Sequence, residues 1–206
     1  LESRKGQFID EMILQGATKQ KAEKEVAVSI DRLVYYAGWC DKFQQIFSSV
    51  NPVSSSHFNF SICEPMGVVA VLAPFESSLI GLVSVVSSVI AGGNTCIVLA
   101  SESYPLCSIA FGEVLHSSDV PGGVVNILTG KRKELLPHFS THMDVNAVIY
   151  CGEDADDISL LRKNSTVNLK RAIIKKGIDW FSSDSESPYF ISDTQETKTT
   201  WHPIGL

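Results

Sequence analysis

The chain has 206 residues, of which 44% are hydrophobic, 19% charged and 9% aromatic. This length corresponds to one or two domains, and a core of that size needs no disulfide or metal for stability. The 23 acidic residues outnumber the 17 basic ones, giving a net charge of −6. That balance argues against a general nucleic-acid binder, which requires a basic surface. The composition also excludes a disordered chain and a disulfide scaffold.

The sequence shows neither a membrane span nor a signal peptide, and its cysteines form no disulfide pattern. The longest apolar stretch, residues 79–91, is interrupted by glycine and serine and is shorter than the roughly 20 residues of a membrane span. Residues 1–7 are polar, which is unlike a signal peptide, and the missing initial Met suggests a fragment or a processed chain. The five cysteines are odd in number and form no CxxC pair. We therefore expect a cytoplasmic location, reduced thiols and no metal site.

The first fifty residues follow a helical pattern. Apolar residues from Phe8 to Ile13 lie on one helix face, and a second stripe runs from Val26 to Ile46 in steps of three and four. Pro52 ends the second helix. We predict a helical arm over residues 1–53 whose apolar stripe packs on a neighbouring domain or helix.

A loop and a strand over residues 54–66 lead into a segment, 67–178, in which short apolar strands alternate with helices. The predicted strands are Gly67–Ala73, Asn94–Leu99, Val124–Leu128, Val145–Tyr150 and Leu169–Ile174, and the helices between them are Ser77–Ile90, Pro105–His116, Lys131–Ser140 and Asp154–Lys163. Because crossovers between parallel strands are right-handed, this order predicts an α/β fold with a Rossmann-like, open, parallel five-stranded sheet covered on both faces.

The tail has a different composition. Residues 182–194 are rich in Ser, Asp and Glu, so we predict a linker over residues 179–196. Residues 197–201 alternate as a strand does, which predicts a separate terminal strand over 197–206. This strand and the one at 58–62 have no place in the parallel sheet. Either the two strands pair with each other within one chain, or they pair with another molecule.

A ligand of an open parallel sheet binds at the carboxyl ends of its strands. The first strand is followed by PFESS, so the glycine fingerprint GxGxxG is missing there. Four carboxylates follow the fourth strand within residues 153–157, where they suit a helix N-terminus and repel a phosphate. Helix capping explains them better than a metal site, since the EF-hand spacing is absent. Lys175, after the fifth strand, is either an anion site or a solvated strand end.

The cysteines and histidines show no catalytic arrangement. Cys96 and Cys107 are predicted core residues. Cys151 lies beside the crevice, but its acidic neighbours in sequence raise its pKa, so we expect an unreactive thiol. His138 and His142 are four residues apart and lack a third ligand.

The order of the motifs resembles the aldehyde dehydrogenase superfamily, whose cofactor is NAD(P). After a helical arm, the motifs are CEPMGVVAVLAPF, VIAGGNTCIVLASES, PLCSIAFGEVL, VPGGVVNILTG, DVNAVIYCGE and NLKRAIIKKG. The closing TKTTWHPIG resembles that family's C-terminal oligomerisation strand. The resemblance covers nearly the whole chain and is strongest to the degenerate C-terminal module of the family-16 members. It implies retained scaffold positions at Pro65, Gly67, Pro74, Gly92, Asn94, Pro121, Gly122, Gly130 and Gly152.

The same resemblance implies that the family's catalytic groups are missing. The Asn whose amide helps to form the oxyanion hole corresponds to Glu76, whose carboxylate offers no donor to an oxyanion. The general-base Glu corresponds to Lys175, and the Leu-Gly-Gly that follows it corresponds to the segment 176–178.

The cofactor positions are also replaced. The Lys and Glu that hold the cofactor ribose correspond to Ala100 and Ser103, and the Ser and Gly below the pyrophosphate correspond to Glu153 and Asp157. About twenty residues stand between the fifth strand and the closing strand, where the family has a whole catalytic domain. No cysteine follows Cys151, so no nucleophile is available.

Three hypotheses about the function are compatible with these residues. The favoured hypothesis is a non-catalytic, aldehyde-dehydrogenase-like module, a pseudoenzyme that serves assembly or protein-partner binding without a cofactor. Its partner is then a second copy in a homodimer, a neighbouring aldehyde dehydrogenase module or another protein. The alternative is part of an NAD-dependent aldehyde oxidoreductase that another module or chain completes. A third is binding of a different small ligand in the crevice.

Overall fold

A parallel sheet of five strands forms the centre of the computed structural model, which describes residues 1–205. Its strands are β3 (Val68–Leu72), β4 (Thr95–Leu99), β5 (Val125–Leu128), β6 (Ala147–Tyr150) and β7 (Arg171–Ile174). Their order is β5-β4-β3-β6-β7, and every neighbouring pair is parallel. The predicted α/β fold with an open Rossmann-like sheet is confirmed. The chain reverses its direction of winding between β3 and β6, which creates a crevice at their carboxyl ends.

Four helices connect these strands and cover both faces of the sheet. They are α4 (Ile80–Ala91), α5 (Leu106–His116), α6 (Arg132–Thr141) and α7 (Ala155–Ser165). Helix α4 is buried on nearly all sides because it lies between the sheet and the helical arm. It begins at Ile80 rather than at the predicted Ser77, since the Ser77 hydroxyl accepts a hydrogen bond from the Gly81 N–H at the helix start. Among the described residues, none of the helices combines the length and the hydrophobicity that crossing a membrane requires.

The helical arm consists of α1 (Lys5–Leu14), α2 (Lys19–Ala37) and α3 (Phe43–Phe47). The single helix predicted from Val26 to Ile46 is wrong, because α2 ends at Ala37 and a turn precedes α3. The predicted apolar stripe is also partly wrong. Val34 on that stripe is 67% exposed, whereas the polar residues Glu25, Ser29 and Arg32 face inward. Hydrophobic periodicity does not detect an inward face that is held by hydrogen bonds.

A second, antiparallel sheet has the order β1-β2-β8 and consists of β1 (Ser49–Asn51), β2 (His57–Pro65) and β8 (Gln195–Pro203). β1 lies within residues predicted to belong to the helical arm, which corrects that boundary. β2 pairs with β8 along its whole length, from His57 opposite Pro203 to Pro65 opposite Gln195. The two strands without a place in the parallel sheet therefore pair within one chain. Within residues 1–205, no strand pairs with the outer edge of β8.

The segment predicted as a linker is folded against the rest of the chain. It contains a 3-10 turn at Ser183–Ser185 and the short helix α8 (Tyr189–Ser192). Ser185 and Ile191 are fully buried. Its polar composition resembles that of a flexible linker, but the backbone carbonyls of this segment bind a side chain of α2.

That side chain is Arg32, which is 1% exposed. Its guanidinium donates to the hydroxyl of Ser84 on α4 at 3.0 Å and to the carbonyl and hydroxyl of Ser185. The Glu186 carboxylate lies 3.3 Å from Nε as the counter-ion. Burial lowers the pKa of Arg32 and Glu186 opposes that shift, so the group keeps its charge. Arg32 thus joins the arm, the core helix and the tail.

Replacing Arg32 with Met should destabilise the fold strongly. The substitution preserves much of the side-chain volume but leaves the Ser185 carbonyl and Glu186 without their donor, which should cost roughly 2–3 kcal/mol of unfolding free energy. Urea denaturation would measure the change. Arg162→Met, at an exposed arginine of α7, is the matched control and should change stability by less than about 0.5 kcal/mol. Equal effects of the two substitutions would contradict this account of the tail.

Candidate functional site

A crevice of about 910 Å³ opens at the carboxyl ends of β3, β6 and β7. This volume lies at the upper end of the range for small-ligand sites. The aromatic side chains that line it are Phe75, Tyr150, Trp180 and Phe181. Lys21 and Glu25 of α2 form another part of the wall. The crevice is therefore bounded by the sheet, by the helical arm and by the segment that follows β7.

The N-terminus of α4 is capped by a carboxylate from the arm. Glu25, which is 4% exposed, accepts hydrogen bonds from the N–H groups of Leu79 and Ile80 at 2.8 and 3.1 Å. It also accepts from the Ser77 hydroxyl at 3.2 Å. A helix N-terminus attracts anions through its free N–H groups and its dipole. Here that position is occupied by a side chain of the protein itself.

The N-terminus of α7 is capped in the same way. The carboxylate of Asp154 accepts from the N–H groups of Asp156 and Asp157, both at 2.9 Å. Helix capping, the interpretation favoured from sequence, describes this geometry. These are the donors that a phosphate at this helix would need. Exposed Glu153 lies beside them and adds negative charge to the same wall.

A guanidinium occupies part of the crevice floor. Arg132 donates to the carbonyl of Ala73 at 2.5 Å and lies over the rings of Phe75 and Tyr150, 5.7 and 5.1 Å from their centroids. A Cβ atom at Gly152 would lie 2.8 Å from Arg132 Nη1, so only glycine leaves room for this arrangement. Arg132 fills the space directly above Gly152.

Tyr150 is buried beneath that guanidinium. Its hydroxyl donates to Asp157 at 2.9 Å. Burial, together with the hydrogen bond to Asp157, raises the pKa of Tyr150 to about 12. The phenol therefore stays protonated at neutral pH and holds Asp157 in place.

Lys175 lies at the end of β7 and is held on two sides. Its side chain is 11% exposed, and its ammonium forms an ion pair with Asp193. The same ammonium lies 3.4 Å from the centroid of the Phe190 ring. Neither sequence reading of Lys175, a free anion site or a solvated strand end, describes this geometry. The positive charge is used to fasten α8 to the sheet.

Cys151 is 3% exposed at the edge of the crevice. Burial raises the pKa of its thiol to about 12, although Lys175 and Arg132 oppose the shift. The predicted rise is present, but its cause is burial rather than the acidic neighbours in sequence. Between Leu1 and Gly205, no three His, Cys, Asp or Glu side chains are grouped so that they could hold a metal.

The structure brings most of the residues singled out from sequence into this crevice. Those that line it are Pro74, Glu76, Gly152, Glu153, Asp157 and Lys175. Ala100 is buried behind it, Ser103 is exposed near α1, and Gly130 packs against Leu135. Sequence reasoning missed Glu25, Arg132 and Asp193. Only Arg132 left a signal, since the three consecutive cations from 131 to 133 are unusual at a helix start.

Comparison with known proteins assigns the fold to a family. The family model described as the aldehyde dehydrogenase family matches residues 1–177. The chain therefore belongs to the aldehyde dehydrogenase family. The matched region ends at the loop after β7.

Individual relatives agree with this assignment. Cytosolic 10-formyltetrahydrofolate dehydrogenase of Xenopus tropicalis is 29% identical over 169 residues, which cover 81% of this chain and 19% of that protein. An aldehyde dehydrogenase of Emericella nidulans is 27% identical over 198 residues, which cover 95% of this chain and 38% of that protein. The chain thus spans between about a fifth and two fifths of these relatives.

Solved structures show the same fold. An aldehyde dehydrogenase from Bacillus cereus, solved as its NAD+ complex, superposes with a TM-score of 0.78 at 23% identity. The match covers 84% of this chain and 35% of that protein.

The burial of the thiols predicts selective labelling. Cys40 is exposed and the other four cysteines are buried, so native protein should react quickly with a thiol reagent at Cys40 only. With a pKa of about 12, Cys151 has a thiolate fraction on the order of one in ten thousand at pH 8. Peptide mass spectrometry after short labelling would locate the modified residue, with urea-unfolded protein as the control for all five. Fast native labelling of Cys151 would show a more open crevice.

Proposed function

We propose that this chain is a non-catalytic, aldehyde-dehydrogenase-like module, a cytoplasmic pseudoenzyme that serves assembly. The observation that carries the proposal is Lys175, at the position that the sequence resemblance assigns to the general base. Its ammonium is paired with Asp193 and covered by Phe190. A cation held in an ion pair takes up no proton from a reacting group, so it cannot replace a carboxylate base.

The crevice also does not fit a dinucleotide. Asp154 already binds the N–H groups at the start of α7, and Glu153 repels a phosphate at the same place. Arg132 fills the space above Gly152. Glu76 is exposed at the position of the oxyanion-hole amide and has no proton to donate when it is ionised. These features support a module without a cofactor, and no catalytic step is derived for it.

The outer edge of β8 supports the assembly role. Residues 197–203 of this strand are exposed, and their backbone faces no partner strand within the described part of the chain. An unpaired edge of this length readily accepts another strand. Antiparallel pairing of β8 with β8 of a second copy would join the two three-stranded sheets into one. The proposed assembly is therefore a homodimer, and a neighbouring aldehyde dehydrogenase module is the other candidate for the same edge.

The absence of a cofactor site can be tested by calorimetry. Titration of the chain with NAD or NADP should give no saturable heat, because the donors at α7 are occupied and the space above Gly152 is filled. Arg132→Ala combined with Glu153→Ser should open that space and allow weak, millimolar binding. Lys133→Ala, which removes a neighbouring cation of the same wall, should have no such effect.

A sub-millimolar dissociation constant for the unmodified chain would overturn the pseudoenzyme proposal. It would favour the alternative, in which another module or chain completes an oxidoreductase.

The strand edge makes a separate prediction about oligomeric state. Light scattering at tens of micromolar should give twice the monomer mass. Thr200→Lys places a second lysine beside Lys198 on this edge strand, so the mass should fall to that of the monomer. Thr200→Val keeps the shape of the strand and should leave the dimer intact. A monomer in the unmodified protein would count against assembly through β8.

A further inference from the structure

The crevice lies at the carboxyl ends of the parallel strands. At their amino ends, just before β7, one residue is both strained and exposed. Leu169 has a φ of +54°, and it is the one non-glycine residue in the described chain with a positive φ. Its side chain is 93% exposed. The left-handed conformation is unfavourable for leucine, and so is the exposure of its apolar side chain to water. A strained residue that also exposes apolar surface points to a role outside the fold.

The strain follows from the position of Leu169 at the end of α7. The N–H of Lys170 donates to the carbonyl of Ser165 at 3.0 Å, a hydrogen bond that closes the helix and places Leu169 in the left-handed region. Glycine is the usual residue at this position because it has no Cβ. A glycine would therefore stabilise the turn, so the stability of the helix end does not explain why leucine stands at this position.

Leu169 belongs to a small apolar surface formed by two loops. Met143 is 65% exposed and Val167 is 71% exposed, and together with Leu169 they form what we name the amino-edge tip. The loops are fastened to each other: the Asn168 side chain donates to the carbonyl of Met143 at 3.2 Å, and the Lys170 ammonium donates to the carbonyl of His142 at 2.7 Å. The two loops that carry the tip are thus held against each other.

The charge beside the tip is positive. Arg162 and Lys163 occupy the last turn of α7, are exposed, and form no ion pair with any residue from 1 to 205. Asp144 is the single acidic residue on the two loops. A partner for this surface should offer apolar walls beside carboxylates.

The crevice at the carboxyl ends of the same strands offers both aromatic walls and carboxylates. Phe75 in its wall is 43% exposed, and Trp180 and Phe181 are half-buried beside it. Glu76 and Glu153 are exposed there, and neither carboxylate is paired with a cation of the described chain. Of the five cations that line the crevice, Lys175 and Lys131 are paired with Asp193 and Glu134, and the other three have no carboxylate partner in the described chain. Seven carboxylates line the same crevice, so its lining keeps a net negative charge.

We propose that the amino-edge tip of one copy docks in the crevice of a second copy. Leu169, Val167 and Met143 would contact the aromatic wall, and Arg162 and Lys163 would lie near the carboxylates of the crevice mouth. The contact uses different surfaces from the β8 edge and goes beyond the assembly proposed there. Because it joins two unlike surfaces, it repeats head to tail and forms chains unless the rotation closes a ring.

Sedimentation velocity can test this contact with the β8 edge blocked. In the Thr200→Lys background, the sedimentation coefficient should rise with protein concentration between about 5 and 200 µM, the range of a weak, transient contact. Adding Leu169→Gly should weaken the association at least tenfold. The same substitution should raise the thermal midpoint by about 2–4 °C, because it relieves the left-handed strain. If Leu169→Gly raises the thermal midpoint but weakens the association, Leu169 acts in docking. A purely structural residue would not weaken association while its replacement stabilises the fold.

The crevice side is tested by reversing charges. Glu153→Lys should weaken the association as Leu169→Gly does, and Lys163→Glu added to it should restore part of the affinity. Leu14→Ser removes another exposed leucine, 79% exposed on α1, and should change nothing. Association that is absent in the Thr200→Lys background, or insensitive to Leu169→Gly, overturns the proposal. Either result leaves the β8 dimer to be judged by Thr200→Lys alone.

Discussion

The route of the chain after the parallel sheet depends on one buried guanidinium. Arg32 of α2 binds Ser84 on α4, Ser185 in the tail and the Glu186 carboxylate. A buried charge of this kind is tolerated only when nearly all of its donors are satisfied, so the tail must run where its carbonyls can reach Arg32. That path determines where α8 packs and where β8 begins. The second sheet therefore depends on a residue of the helical arm.

Side chains of the arm and of the loops after the strands occupy the charged groups of the crevice. Glu25 binds the N–H groups that begin α4, and Asp154 binds those that begin α7. Arg132 and Lys175 are fixed by a carbonyl, two aromatic rings and a carboxylate. The starts of α4 and α7, which could otherwise bind an anion, are thus satisfied from within the chain. The space that remains has aromatic walls, and Glu76 and Glu153 at its mouth have no cation partner in the described chain.

Sequence reasoning succeeded where the signal was local and apolar. The strands of the parallel sheet were predicted because β-branched runs bounded by turns identify strands that are buried on both faces. It failed on α2, where the apolar stripe containing Val34 was taken as the inward face although Glu25, Ser29 and Arg32 are buried. It failed again on the tail, where serines and acids concealed the buried Ile191. Glu25 and Arg32 are satisfied by partners far away in sequence, on α4 and its N-terminus and in the tail, and the spacing of apolar residues carries no information about such partners.

The sequence by itself determined the class of fold and the family, since each is a matter of residue type and order. That Glu76, Glu153 and Lys175 stand at replaced family positions stays a prediction from the resemblance. Only the tertiary structure decided how the side chains around the crevice are held. Lys175 is paired with Asp193, 18 residues further along the chain. Arg132 fills the space above Gly152 because its guanidinium binds the carbonyl of Ala73, 59 residues earlier. It likewise decided that β8 pairs with β2 and that Leu169 is held out into solvent. These features depend on contacts between distant segments, which form only when the whole chain is packed.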